Sequence, residues 1–215
     1  ISQHLVWHAA CPHRPTAIMG QVQWAAGQSV TSLMRWMENG AQWSFDAVEP
    51  GDLLDYNWFI TANLSLYRSV LLEAGGFDEG FPDAAMEDLE LGYRLCRQGL
   101  EIRYAPDALA FHWHPTSIEA YLARARKVGQ AAARFAQIWP ELRDQLLEPE
   151  SWFADRPTVQ REILCRTVRW RWFIAGLMPL VRGLADRPPG PLQPLMYPVY
   201  WLVVLHYRLR GSGLA

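Results

Sequence analysis

The 215-residue chain has no uninterrupted apolar stretch of twenty residues, which excludes a simple single-span membrane protein. It has only three cysteines, Cys11, Cys96 and Cys165, far apart, odd in number and without a CxxC pair. That usage indicates a reducing compartment and argues against a structural zinc site. No internal repeat is visible. A composition half apolar and one-fifth charged is that of an ordinary globular domain or part of a larger one, and excludes disorder, collagen and coiled coil. Nothing at the N-terminus reads as a signal peptide. Residue 1 is Ile, and ISQHLVWHAA reads as the middle of a helix with no capping residue ahead of it. The chain is therefore expected to be the second half of something longer.

Net charge is small, at −2, but unevenly spread: residues 1–150 carry 11 Lys+Arg against 19 Asp+Glu, and residues 151–215 carry 9 against 3, giving −8 and +6. The basic segment also holds Trp152, Trp170, Trp172, Trp201, Tyr197, Tyr200 and Tyr207. Arginine beside Trp and Tyr on apolar helices suits the headgroup layer of an anionic membrane. Nucleic acid is the poorer partner, because the arginines interrupt apolar runs such as WFIAGLMPLV instead of forming a polar stripe. The run 188–207 is free of charge, but its prolines leave only about a dozen helical residues, too few to span a bilayer. Lying on a membrane surface and packing on a neighbouring domain are the two readings of this tail.

Periodicity gives a coarse layout. Residues 1–11 read as a helix, 17–24 as a strand, 29–40 as a helix stopped at Asn39-Gly40, and 58–67 as a strand running into a short helix closed by Gly75-Gly76. Residues 77–85 form a Gly/Pro/Asp-rich loop and 86–100 a helix. EIRYA and ALAFHWH read as two short strands separated by Pro106-Asp107, and a long amphipathic helix then ends at Pro140. Three helical stretches follow, at 141–147, 157–185 and 195–209. The expected fold class is α/β, with an all-helical tail; the domains are 1–140 and 141–215.

Chemistry concentrates in three places. GGFDEGFPDAAMEDLELGYRL, residues 75–95, carries Asp78, Glu79, Asp83, Glu87, Asp88 and Glu90, and the adjacent Glu87-Asp88 falls in the first turn of a helix, where partial positive charge stabilises anions. Acidic residues in a first turn are also common without any chemical role. His112 and His114 project to the same face of a strand and can share a metal or hold a diphosphate, or be ordinary satisfied histidines. Asn63 and Ser65 share one face of the 58–67 strand and need partners there, in a structural turn or a ligand.

Taken in order, TANLSLYR, LLEAGGFDE, EDLELGYRL and a strand ending in HxH resemble the C-terminal half of family 2 glycosyltransferases, which have the GT-A fold; the resemblance covers roughly residues 1–136. It implies a partial GT-A domain whose catalytic base is Asp88, with Glu87 beside it. Gly76, Phe77 and Asp78 would form part of the acceptor-side wall, Asn63, Ser65 and Trp58 would line the substrate, and His112 or His114 would stand near the donor diphosphate and its metal. The implied reaction is inverting transfer of a sugar from a nucleotide-diphosphate donor to an acceptor hydroxyl, saccharide or lipid-linked, in cell-envelope or polysaccharide synthesis. The divalent ion, Mg²⁺ or Mn²⁺, is held in this family largely by a DxD motif, and no DxD occurs in this sequence. A cut a few residues after that motif accounts for its absence, and the piece alone is then expected to be inactive.

The implied setting is cytoplasmic, with peripheral attachment to the inner face of the cell membrane. Two rivals remain at this level. A metal-dependent hydrolase can use HxH with Asp88 and Glu87, but its barrel form needs many more βα units than the sequence shows. A truncated or degenerate transferase can serve as a non-catalytic, membrane-associated binding module.

Overall fold

Thr16–Trp24 forms the first strand, β1, whose Ala17, Ile18, Met19 and Val22 are buried, as expected of a central strand covered on both faces. The structure is a computed structural model that describes residues 1–11, 14–41 and 45–214. Its elements run α1 (Ser2–Ala10), β1, α2 (Ser32–Trp36), β2 (Leu53–Leu54), β3 (Leu64–Ser65), α3 (Arg68–Glu73), α4 (Glu87–Arg97), β4 (Glu101–His112), α5 (Ile118–Ile138), α6 (Arg143–Leu147), α7 (Pro149–Trp152), α8 (Thr158–Arg169), α9 (Arg171–Leu184) and α10 (Gln193–Gly211). They form two compact units: a sheet unit of residues 1–28, 38–80 and 87–114, and a helical unit of residues 29–37, 81–86 and 115–215. The fold is mixed α/β with a helical C-terminal region, the class expected from the sequence.

In the sheet unit the strand order is β2-β4-β1-β3, with β1 parallel to β4 and the outer pairs antiparallel. β4 is one strand, not two. Its register with β1 passes from Gly20↔Ala105 to Val22↔Ala110, so residues 106–109 bulge opposite Gln21 alone. Pro106 sits inside that bulge, where the ladder does not need the N–H it lacks. The bulge also aims Asp107 at α1, whose Trp7 indole donates to the Asp107 carboxylate at 2.7 Å and packs on Ile18, Ala105 and Ala108.

The strand expected over 58–67 is replaced by tight turns at Tyr56–Trp58 and Thr61–Asn63, leaving only Leu64–Ser65 paired to β1. Asp55 starts the first turn by accepting the Asn57 N–H at 2.8 Å. Phe59 in this segment is fully buried against α4, and a Cβ on Gly92 would stand 2.3 Å from its Cβ. Tyr56 and Tyr93 meet edge-on at 5.0 Å and fix the same approach.

In the helical unit α5 and α10 cross with backbones almost touching. A Cβ on Gly129 would lie 1.9 Å from the Arg208 carbonyl, and one on Gly211 would lie 2.0 Å from the Arg126 carbonyl. Trp36 is buried at the other end of α10, edge-on to Tyr121, Tyr200 and Trp201, and Ser32 hydrogen-bonds the Tyr200 hydroxyl at 3.1 Å. Residues 81–86 are held by the cationic side of α5, through Lys127 to Asp83 at 2.6 Å and Arg124 to the Ala84 carbonyl at 2.9 Å. The helix expected over 157–185 breaks at Trp170 into α8 and α9. Among the described residues no helix is long and apolar enough to cross a membrane.

Candidate active site

The side chains singled out by sequence lie in the sheet unit on three supports: the start of α4, the turn that leads into α3, and the end of β4. α4 opens with Glu87, Asp88 and Glu90 in its first turn, where unpaired N–H groups and the helix dipole favour carboxylates. Asp88 is half-buried. Its Oδ1 accepts the Leu89 N–H at 2.9 Å, and its Oδ2 faces the backbone N–H and the hydroxyl of Thr61 at 3.3 and 3.4 Å. The two Thr61 contacts are long and come from neutral groups, so they orient the carboxylate and neither neutralises its charge.

The same helix carries the glycine loop. Arg94 spans Glu90 with both carboxylate oxygens engaged, at 3.1 and 3.0 Å, and its remaining N–H groups reach the carbonyls of Ala74 and Gly76. Glu90 is 2% exposed, so this is a buried, hydrogen-bonded ion pair and not a surface bridge. Gly75 and Gly76 adopt φ of 82° and 74°, left-handed conformations that side chains resist and glycine does not. Beyond them Phe77 is 42% exposed, and Asp78 closes a small turn by accepting the Gly80 N–H at 2.9 Å. The Trp58 ring lies 5.5 Å from that of Phe45, which in turn stacks on Tyr104.

Asn63 and Ser65 are engaged by protein. Asn63 Nδ2 donates to the carbonyls of Gln21 and Ala108 at 2.9 and 2.6 Å, across the β1–β4 bulge. Gly20 makes room for it, since a Cβ there would lie 2.2 Å from the Ala108 oxygen and 2.3 Å from Nδ2. With the amide nitrogen fixed by two carbonyls, Asn63 Oδ1 can only accept, and it takes the Nε2–H of His4 at 3.0 Å. With the hydrogen on Nε2, His4 accepts at Nδ1 from the Ser65 hydroxyl at 2.8 Å, and Ser65 accepts from His8 Nε2 at 2.9 Å. One amide thus sets two tautomers. His8 is 7% exposed; burial lowers its proton affinity and His4 lowers it further, while a hydrogen bond to the Ser65 backbone works the other way. A cavity of about 530 Å³ borders this chain, lined by His4, His8, Thr61, Asn63, Ser65 and Tyr67 among others. Sequence reasoning passed over His4 and His8, although their spacing of four on a helix already put them on one face.

At the end of β4 the rings of His112 and His114 lie 5.5 Å apart and tilted by 43°, and Trp24 covers His112 at 5.7 Å. Burial, then the neighbouring His114, lowers the proton affinity of His112, so it is a neutral imidazole at pH 7. The pair offers two nitrogens, and among the described residues no group of three or more His, Cys, Asp or Glu is placed to hold a metal ion. Mg²⁺ takes oxygen ligands in octahedral geometry, so two imidazoles alone do not fit it.

A carboxylate at a helix start, a glycine loop tied to that helix, and a cavity that shares Thr61 with that carboxylate lie together in the sheet unit of an α/β fold. Comparison with known proteins gives the class: residues 15–210 match the family model described as glycosyl transferase family group 2, and the chain belongs to that family. It is similar to the pre-mycofactocin glycosyltransferase of Mycobacterium tuberculosis, 37% identical over 34% of this chain and 15% of the relative. Similarity extends to the chondroitin synthase of Escherichia coli, 37% identical over 33% of the chain and 10% of the relative. The validoxylamine A glucosyltransferase of Streptomyces hygroscopicus is 49% identical over 20% of the chain and 10% of the relative. The chain therefore spans only a small part of each of these relatives. No solved structure matches.

Proposed function

We propose that this chain supplies the acceptor side of an inverting glycosyltransferase, with residues 1–140 forming that half and Asp88 as its general base. Family membership supports sugar transfer in general. The observation that carries the finer reading is Asp88 at the start of α4, oriented by Thr61 on one side while the same helix grips the Gly75-Gly76 loop through Arg94 on the other. An acceptor lying on Gly76, Phe77 and Asp78 would bring a hydroxyl toward a carboxylate that α4 holds in a fixed place.

In the proposed reaction Asp88 takes the proton of the acceptor hydroxyl at about 3 Å as that oxygen forms its bond to the anomeric carbon. The bond from that carbon to the diphosphate breaks, and the electron pair leaves with the nucleoside diphosphate. Glu87 is adjacent in the same turn of α4. His112 and His114 belong in this reading to the diphosphate end, where a neutral imidazole N–H donates to a phosphate oxygen. A divalent ion, when bound, would neutralise the charge of the leaving diphosphate, and it requires carboxylates beyond these two histidines. The donor is a nucleotide-diphosphate sugar and the acceptor a saccharide or lipid-linked hydroxyl of envelope or polysaccharide synthesis. The names of the relatives point to no single acceptor.

The test is product analysis with the intact enzyme. Incubation with nucleotide-diphosphate sugars and a panel of hydroxyl acceptors should release nucleoside diphosphate only when an acceptor is present. Proton NMR of the new glycoside should show the anomeric configuration inverted. A product of retained configuration would overturn single displacement and with it the role given to Asp88.

A further inference from the structure

The helical unit carries an outward stripe that sugar transfer does not use. On α8, Val159, Ile163 and Arg166 recur at spacings of four and three, which places them along one side, and Trp170 follows at the break, while Cys165 and Val168 on the opposite side are buried. Val159, Ile163 and Trp170 are 70%, 58% and 59% exposed, and just past the break Trp172 is 75% exposed. Trp170 stacks on Phe173 at 5.7 Å, and the Arg171 guanidinium lies 5.5 Å from the Trp172 ring centre. Single exposed apolar residues are ordinary, but a continuous run of this size at a helix elbow is not.

Beside the stripe is a cavity of about 260 Å³ lined by Glu150, Arg161, Glu162, Cys165, Arg166 and Arg169. Arg169 is held by Glu150 at 3.1 Å, and the guanidinium beside it keeps the Glu150 carboxyl below its usual range. Among the described residues no carboxylate pairs with the guanidinium of Arg161 or Arg166. Arg166 belongs to both the cavity and the stripe.

We propose that the α8–α9 elbow is an interfacial anchor for an anionic lipid surface, with Trp170, Trp172 and Phe173 at the acyl boundary and a headgroup phosphate taken by Arg166. The charge pattern selects this occupant. α8 and α9 together hold five arginines and one carboxylate, Glu162; with Arg169 paired to Glu150 and Arg182 to Glu119, Arg161, Arg166 and Arg171 remain against Glu162, so a second copy of the chain would still set like charge against like. A surface rich in lipid phosphates complements it, and guanidinium is the side chain whose forked donors match phosphate oxygens. Tryptophan is the residue that rests at the headgroup level. This inference is independent of the sugar-transfer reading, and either can fail alone.

Flotation of the purified protein with vesicles of phosphatidylcholine, with and without phosphatidylglycerol, tests it. Binding is expected to the anionic vesicles, with a blue shift of tryptophan emission, and not to the neutral ones. The pair W170E and W172E together should lower the partition coefficient at least about tenfold, and R166E alone about fivefold. L53E, an exposed apolar site in the sheet unit, should leave it unchanged, with circular dichroism confirming that every variant is folded. Inorganic phosphate at matched ionic strength should not release the protein. Equal binding to neutral vesicles, no binding to either, displacement by phosphate alone, or a concentration-dependent dimer abolished by W170E and W172E would each overturn the proposal.

Discussion

Asn63 is where the fold and the candidate site depend on one side chain, and its replacement tests the hydrogen-bond chain directly. Asn63→Ala removes two bonds to the Gln21 and Ala108 carbonyls and one from His4, leaving three half-buried polar groups to find other partners. At roughly 1 kcal/mol for each bond, with an added cost where water cannot replace it, the loss is about 3–4 kcal/mol, or on the order of 10 °C in Tm for a chain of this size. Asn63→Asp is more discriminating because its shape is the same. One carboxylate oxygen would then stand where Nδ2 meets two carbonyl oxygens at 2.9 and 2.6 Å, a repulsion that only protonation relieves. The folded-state pKa of that Asp is therefore raised above an unfolded value of about 3.9, so the folded state holds the proton more tightly. Stability of Asn63→Asp should fall, relative to Asn63→Ala, as pH rises from about 4 toward 7. Urea denaturation followed by tryptophan fluorescence at several pH values measures this. Wild-type stability of Asn63→Asp at pH 7 would refute the assigned amide orientation and the tautomers derived from it.

Other perturbations follow from the same contacts. Gly129→Ala should destabilise by about 2 kcal/mol or more in thermal denaturation, because its Cβ meets the Arg208 carbonyl, although Gly→Ala inside a helix ordinarily stabilises by about 0.5–1 kcal/mol. Arg94→Met takes the guanidinium away from the buried Glu90 and should cost about 3–5 kcal/mol in the same measurement; a loss below about 1 kcal/mol would place the pair at the surface. His8 and His112 both have lowered proton affinity in the folded state, so the unfolded chain binds more protons; stability should fall as pH drops below the ordinary histidine value of about 6.5. Equal stability by urea denaturation at pH 7 and pH 5.5 would contradict that burial.

Much of the fold is legible in residue order. β1, α4 and α5 are long enough, and regular enough in apolar spacing, for periodicity to identify them. What fails are the places where side chains override pattern. β-branched and aromatic residues at 58–67 suggest a strand, but Asp55 caps a turn and Asn63 seeks the carbonyls of a bulge that forms only when β1 and β4 pair. Pro106-Asp107 looks like a break between strands and is a bulge within one, because only the partner's register reveals that its N–H is dispensable. The carboxylates of α4 were readable as a first-turn cluster. Their link to the glycine loop was not, since Arg94 carries no signal until α4 is packed beside Ala74 and Gly76. Asn63 and Ser65 were readable as polar groups in need of partners, but His4 and His8, almost sixty residues earlier, could be assigned to them only in three dimensions.

The role of Asp88 is the center of the account, and Asp88→Asn in the intact enzyme tests it most directly. The amide keeps the size and the helix start but has no affinity for the acceptor proton. Transfer should fall by about 10²–10⁴-fold, while binding of the nucleotide-diphosphate sugar, measured by calorimetry, stays unchanged. Turnover at the wild-type rate would contradict the assignment of Asp88 as the base.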